Sequence, residues 1–201
     1  MKVAFITHKI LFICDVYTKM LFASFVRAEG IYDSWFNKCV SYVTSGGSYC
    51  HSEFIFRWTP EQLQQVLARV KGFASLRSLS KTSPHVDVAV YILWGGHVQY
   101  RILSGYGEFW SFPKGNDVIQ INTNWENELN TIVWLSNQIG SSYDHLGALL
   151  YRMPLRRANN TYNSYFCSQL MACALQRLGH FQHLNPASLT PNGLYAVLKN
   201  T

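Results

Sequence analysis

Charge is scarce in this 201-residue chain: Asp, Glu, Lys and Arg together make up 14% of it. A composition so poor in charge and 48% apolar excludes a disordered or coiled-coil chain and supplies enough apolar mass for one globular domain. No apolar run reaches the ~18 residues of a membrane-spanning helix, because Asp15 and Lys19 interrupt the N-terminal stretches Ile10–Cys14 and Leu21–Val26. Asp15 also fits badly in the apolar region of a signal peptide ending near Ala28-Glu29-Gly30, which argues against secretion and for residues 1–30 packing onto the domain. The five cysteines are odd in number and none has CxxC spacing, which excludes a zinc ribbon or a paired disulfide framework and favours a reducing compartment. There is no phosphate-cradling glycine loop, no zinc-finger spacing and no basic run interleaved with aromatics, so neither a cofactor nor a specific nucleic-acid partner is expected. The net charge of +6 is scattered, with only Arg152, Arg156 and Arg157 bunched, and reads as a solvated basic surface.

Aromatics are plentiful at 15%, and the apolar pattern switches between two periods. Ile31, Trp35, Phe36, Cys39, Val40 and Val43 recur at helical spacing. From Tyr49 to Trp58 the period is two, so His51, Glu53, Ile55 and Arg57 share one face of a strand and Ser52, Phe54, Phe56 and Trp58 the other. Residues 59–80 open with Pro60-Glu61 and read as a helical excursion. Val86 to Leu93 and Val98 to Ile102 form a strand pair around Gly95-Gly96, and Val118 to Ile121 adds another short strand. Asn124 caps a helix that Gly140 closes, and a further helix runs from Cys167 to a stop at Gly179. Thr190-Pro191 opens a short terminal helix.

Among the cysteines, Cys167 has the context of a nucleophile. It sits at the first turn of an amphipathic helix, where unpaired N–H groups and the helix dipole favour a thiolate. Cys173 on the same helix reads as packing. A thiol nucleophile needs a proton acceptor, and His51, at the start of a strand just past a glycine turn, is the best placed of seven histidines. The backbone N–H of Cys167 or Ser168 is the natural oxyanion donor. Tyr143 and Asp144 read as packing and helix-start residues, and Trp94, Trp110 and Tyr165 as core or as the lining of an apolar groove. Asn159-Asn160-Thr161 matches a glycosylation pattern that matters only in a secreted chain.

Four segments occur in a characteristic order: Ser48-Tyr49-Cys50-His51-Ser52-Glu53-Phe54, then Tyr143-Asp144-His145-Leu146-Gly147, then Tyr165-Phe166-Cys167-Ser168-Gln169, and Asn185-Pro186 through Leu194-Tyr195. Over roughly residues 31–198 they resemble the permuted branch of the NlpC-type papain-like cysteine hydrolase superfamily, which includes lecithin:retinol acyltransferase-like and poxvirus-type proteins. In that branch the histidine strand precedes the cysteine helix, as His51 precedes Cys167 here. The resemblance implies an α+β, circularly permuted papain-like domain over residues 31–201, with a small antiparallel sheet packed against the cysteine-bearing helix. It implies catalysis by Cys167 and His51 through a thioester, on a peptide, amide or acyl-lipid substrate.

The residue that orients the imidazole stays open. Glu53 matches the His-x-Glu variant of the family pattern, Asp87 on the next strand is the alternative, and His97 and Gln99 would serve in another register. Where the family commonly reads Phe-Cys-Ser-Glu, this chain has Gln169. A thiol hydrolase or acyltransferase, cytoplasmic or virion-associated, is therefore expected, with a catalytically silent structural or virion protein of the same fold as the alternative. A membrane-associated lipid acyltransferase is a further alternative, with a membrane surface as partner.

Overall fold

Five antiparallel strands form the main sheet in the order β4-β3-β2-β1-β5: β1 Met20–Arg27, β2 Tyr49–Trp58, β3 Val86–Ile92, β4 Val98–Ser104 and β5 Asn116–Ile121. The computed structural model describes residues 20–29, 38, 47–73, 75–76, 85–104, 116–150 and 164–201. The helix expected over 31–43, apart from Lys38, lies outside the described residues, as do Cys14, Trp110, the bunched arginines 152, 156 and 157, and Asn159-Asn160-Thr161.

Within the expected N-terminal segment, Met20–Arg27 does more than pack on the domain. It is an interior strand of the sheet, paired to β2 on one side and to β5 on the other. From Leu21 to Val26 its side chains are apolar or small on both faces, and all but half-buried Phe22 are buried, as an interior strand requires.

Cross-strand register sorts the side chains. On one face lie Leu21, Ala23 and Phe25 of β1, Phe54, Phe56 and Trp58 of β2, and Val86, Val88 and Val90 of β3, all members of the main core. The helices supply the rest of that core through Leu63 and Val66 of α1 (Pro60–Arg69), Leu129 and Ile132 of α2 (Trp125–Gln138), Leu170, Met171 and Leu175 of the cysteine helix, and Leu194 of the terminal helix. Each large apolar side chain fully withdrawn from water contributes about 1.5–3 kcal/mol. The largest aromatic of that core has its polar atom satisfied, since the Trp58 indole N–H donates to Glu128 Oε1 at 3.0 Å.

Caps set the helix ends where the residue types demand. Thr59 accepts from Gln62 N–H and Gln62 answers the Thr59 N–H, starting α1, and Asn124 accepts from Asn127 N–H at α2. Gly140 and Gly179 follow their helices at φ +88° and +92°, a region in which glycine is strain-free. Among the described residues no helix is long and apolar enough to cross a membrane.

Candidate active site

A parallel ribbon carries the chain into the cysteine helix: β6 (Ser142–Tyr143) pairs with β7 (Ser164–Tyr165), and α3 (His145–Leu150) lies between them in sequence. Tyr143 N–H reaches the Gly96 carbonyl at 3.0 Å, tying the ribbon to the β3–β4 turn, and Asp144 N–H donates to the Tyr165 carbonyl at 2.9 Å. Asp144 Oδ1 accepts from Gly147 N–H at 2.7 Å, the helix-start role its position suggests. Extended Phe166 then leads into α4, Cys167–Arg177, with Cys167 as its first residue.

Helix α4 lies on β2, and the Cys167 side chain enters the core 7% exposed. Its sulfur lies near the backbone N–H groups of Ser52 and Ser168 and near the Ser52 hydroxyl, which makes no hydrogen bond to it in the resting fold. The register explains the access: β3 pairs with β2 only from Phe54 onward, leaving one edge of Ser52 unclaimed by β3. Burial pushes the Cys167 thiol above its ordinary range, and the Ser52 N–H is the largest opposing influence. Tyr143 and Cys50 sit close enough to feel the Cys167 charge. Cys50, for which the sequence offers no role, is the extra residue of a β-bulge: Val26 faces His51, but Arg27 faces Tyr49. The bulge shifts the strand's phase, so that Tyr49 and Ser52 both face the core. Burial, with the Cys167 charge adding to it, lifts the Cys50 thiol to about 11.

His51 leaves β2 on the other face, together with Glu53, as their spacing predicts. No hydrogen bond joins its ring to the Cys167 thiol, and its Nε2 is buried with no hydrogen-bond partner among the described residues. Burial, reinforced by the charge of Arg101, lowers the imidazole to about 3, so the ring is neutral. Glu53, the expected third residue, lies 4.0 Å from His51 Nε2 but hydrogen-bonds elsewhere: both of its carboxylate oxygens accept from Arg101 Nη2 at 2.9 Å. Burial raises the Glu53 carboxyl and Arg101 opposes that rise. Asp87, the alternative, accepts from Arg57 Nε and Nη2 at 2.8 Å, opposite Arg57 and six residues along β2 from His51. The structure does not bring it to the imidazole. His97 forms an isolated bridge with Ser142, and Gln99 pairs with Tyr91 and is exposed.

The remaining motif residues act through backbone. Ser168 Oγ donates to the Leu189 carbonyl at 2.6 Å. Gln169, where the resembled family has Glu, accepts from Phe166 N–H at 3.4 Å, a helix-start bond that an amide oxygen makes without charge. Thr190 caps α5 (Pro191–Lys199) by accepting from Gly193 N–H at 3.0 Å. Tyr165 is core, whereas Trp94 is 39% exposed and packs on Tyr143 and His145, with ring centroids at 5.1 and 4.8 Å. Leu93 and Leu146 are also exposed near this aromatic group. Sequence reasoning missed Arg101, Ser52 and Asn192, whose partners are set by strand register and tertiary packing.

No protein-family model, curated protein or solved structure matches the chain. Among the described residues no group of three or more His, Cys, Asp or Glu side chains could hold a metal ion.

Proposed function

We propose that this protein is a cysteine-dependent acyl hydrolase or acyltransferase with the permuted papain-like arrangement, Cys167 being the nucleophile and His51 the base. The observation that carries this reading is the seating of Cys167, first residue of α4, against Ser52, the residue next to His51 on a central strand. Neutral imidazole is the form that takes a proton, and Nε2 of His51 has no hydrogen-bond partner among the described residues. A ring held to about 3 keeps that proton only when a neighbouring anion, Glu53 or the thiolate, stabilises the imidazolium.

In the reaction, the start of β2 must turn to bring the His51 imidazole, which the resting fold holds on the opposite face of the strand, to the sulfur. The Cys167 proton then passes to His51, directly or through one water, and the sulfur attacks the acyl carbonyl. The Glu53 carboxylate, 4.0 Å away, favours the imidazolium that forms. Backbone N–H groups at the start of α4 receive the oxyanion. The C–N or C–O bond then breaks, the leaving group departs with the proton from His51, and the thioester at Cys167 passes to water or to an acceptor. The exposed Leu93, Trp94 and Leu146 suit an apolar portion of a peptide, amide or acyl-lipid substrate.

Incubation with p-nitrophenyl acetate followed by intact-protein and peptide mass spectrometry tests this. The expected result is one acetyl group on Cys167, absent in Cys167→Ser and slowed in His51→Ala. Acetylation spread over the cysteines, or none at Cys167, would favour a second reading: a catalytically silent structural protein, in a virion or another assembly. The absence of a His51–Cys167 hydrogen bond and the burial of both groups are the observations that favour that alternative.

A further inference from the structure

We infer that Ser52 is a catalytic residue, its hydroxyl a donor that turns to the Cys167 sulfur when the thiol ionises. This rests on the proposed nucleophilic role of Cys167 and adds to it a residue that neither the Cys-His order nor the His-x-Glu pattern marks.

Ser52 is 1% exposed and stands on the core face of β2, opposite Phe25 of β1. Its Oγ is buried with no hydrogen-bond partner among the described residues. A hydroxyl in that condition weakens the fold, because the water it bonded in the unfolded chain is not replaced. Beside it lies a sulfur that must become an anion in a nearly dry site. Fixed donors already point there, namely the backbone N–H groups of Ser52 and Ser168. They cannot respond to charge, whereas a serine hydroxyl rotates freely about its C–O bond. With the thiol protonated the hydroxyl faces only a neutral sulfur, a weak acceptor. Once the proton has left the sulfur, the O–H···S⁻ bond forms, and hydrogen bonds to charged partners are the stronger class.

The neighbouring serine supplies a contrast. Ser168 also lies beside the sulfur in sequence, but its Oγ is committed to the Leu189 carbonyl at 2.6 Å. Its hydroxyl is therefore fixed to the C-terminal segment, and Ser52 is left with the mobile donor.

The test is the pH profile of Cys167 alkylation by iodoacetamide, followed by peptide mass spectrometry in wild type and Ser52→Ala, alongside thermal unfolding. In the variant, Cys167 is expected to react about tenfold more slowly near neutral pH, with its profile displaced to higher pH and the rates converging in strong base. The variant should melt at or above the wild-type temperature, because an unsatisfied hydroxyl has been removed. An unchanged profile in Ser52→Ala, with wild-type Cys167 still reactive, overturns this inference and leaves the nucleophile in place. A variant less stable than wild type also overturns it, since the hydroxyl would then be bonded in the resting fold. Inert Cys167 in the wild type at every pH contradicts the hydrolase reading itself, and this inference with it.

Discussion

The side-chain amide of Asn192 holds both backbone groups of Tyr49: its Oδ1 accepts from the Tyr49 N–H at 3.0 Å, and its Nδ2 donates to the Tyr49 carbonyl at 3.0 Å. A single side chain thus stands in for a neighbouring strand at the start of β2, two residues before His51. The same C-terminal segment holds Ser168 through the Leu189 carbonyl. Leu189 to Asn192 therefore fastens the histidine strand and the cysteine helix to one another.

Asn192→Ala should lower stability by about 1–3 kcal/mol, as two partly buried backbone groups lose their partner. Gly47→Ala should do similar harm by another route. A Cβ there would clash with Asn192 Oδ1, and the amide can withdraw only by giving up Tyr49. Because both changes remove the same interaction, the double variant should be less destabilised than the sum of the singles in urea unfolding. Full additivity would mean that Gly47 acts elsewhere.

Arg101→Ala should destabilise by about 2–3 kcal/mol, below the ~3–5 expected for a fully buried pair because the guanidinium is partly exposed. It leaves the Glu53 carboxylate, 1% exposed, with His51 as its nearest cation-forming neighbour. The His51 titration, followed by its ring carbon-bound protons in NMR, should then move upward from about 3. A titration that stays in place would show that Arg101 does not govern the imidazole.

Acid should weaken the fold through His51. The unfolded chain takes up this proton near pH ~6.5, the folded chain only near about 3. Between those values the unfolded state binds more protons, so the contribution is complete above ~6.5 and is lost as pH falls towards 3. The slope approaches about 1.4 kcal/mol per pH unit. Glu53, whose carboxyl is raised, acts with the opposite sign above its ordinary range. Subtracting the pH–stability curve of His51→Gln from that of wild type isolates the histidine, and a flat difference between pH 4 and 6.5 would contradict the burial of a neutral ring.

Much of this architecture is legible in the chain because local chemistry and tertiary structure agree. Alternation marks β2, β3 and β4, and Thr190, Asn124, Gly140 and Gly179 mark helix ends by their own hydrogen bonds or backbone angles. Strand β1 is harder to see, since a strand buried on both faces loses its period of two. The bulge at Cys50 leaves no local trace either, and it decides which of residues 49 to 52 face the helix. Glu53 is legible as a neighbour of His51 along one face, but its guanidinium partner is not. Arg101 lies two strands away and reaches it past the ring of Tyr91, at 4.9 Å, by a register that pairs Ala89 with both Ile55 and Arg101. Such partners are fixed by pairing between distant segments, which composition and periodicity do not encode.

The most direct test of the central claim is the rate of Cys167 acylation by p-nitrophenyl acetate as a function of pH in wild type and His51→Ala. If His51 removes the thiol proton, the variant reacts about 10²–10⁴-fold more slowly near neutral pH, and the two rates converge in strong base, where the thiol ionises unaided. Equal rates at every pH would contradict the account and leave His51 and Cys167 as separate buried groups of a silent fold.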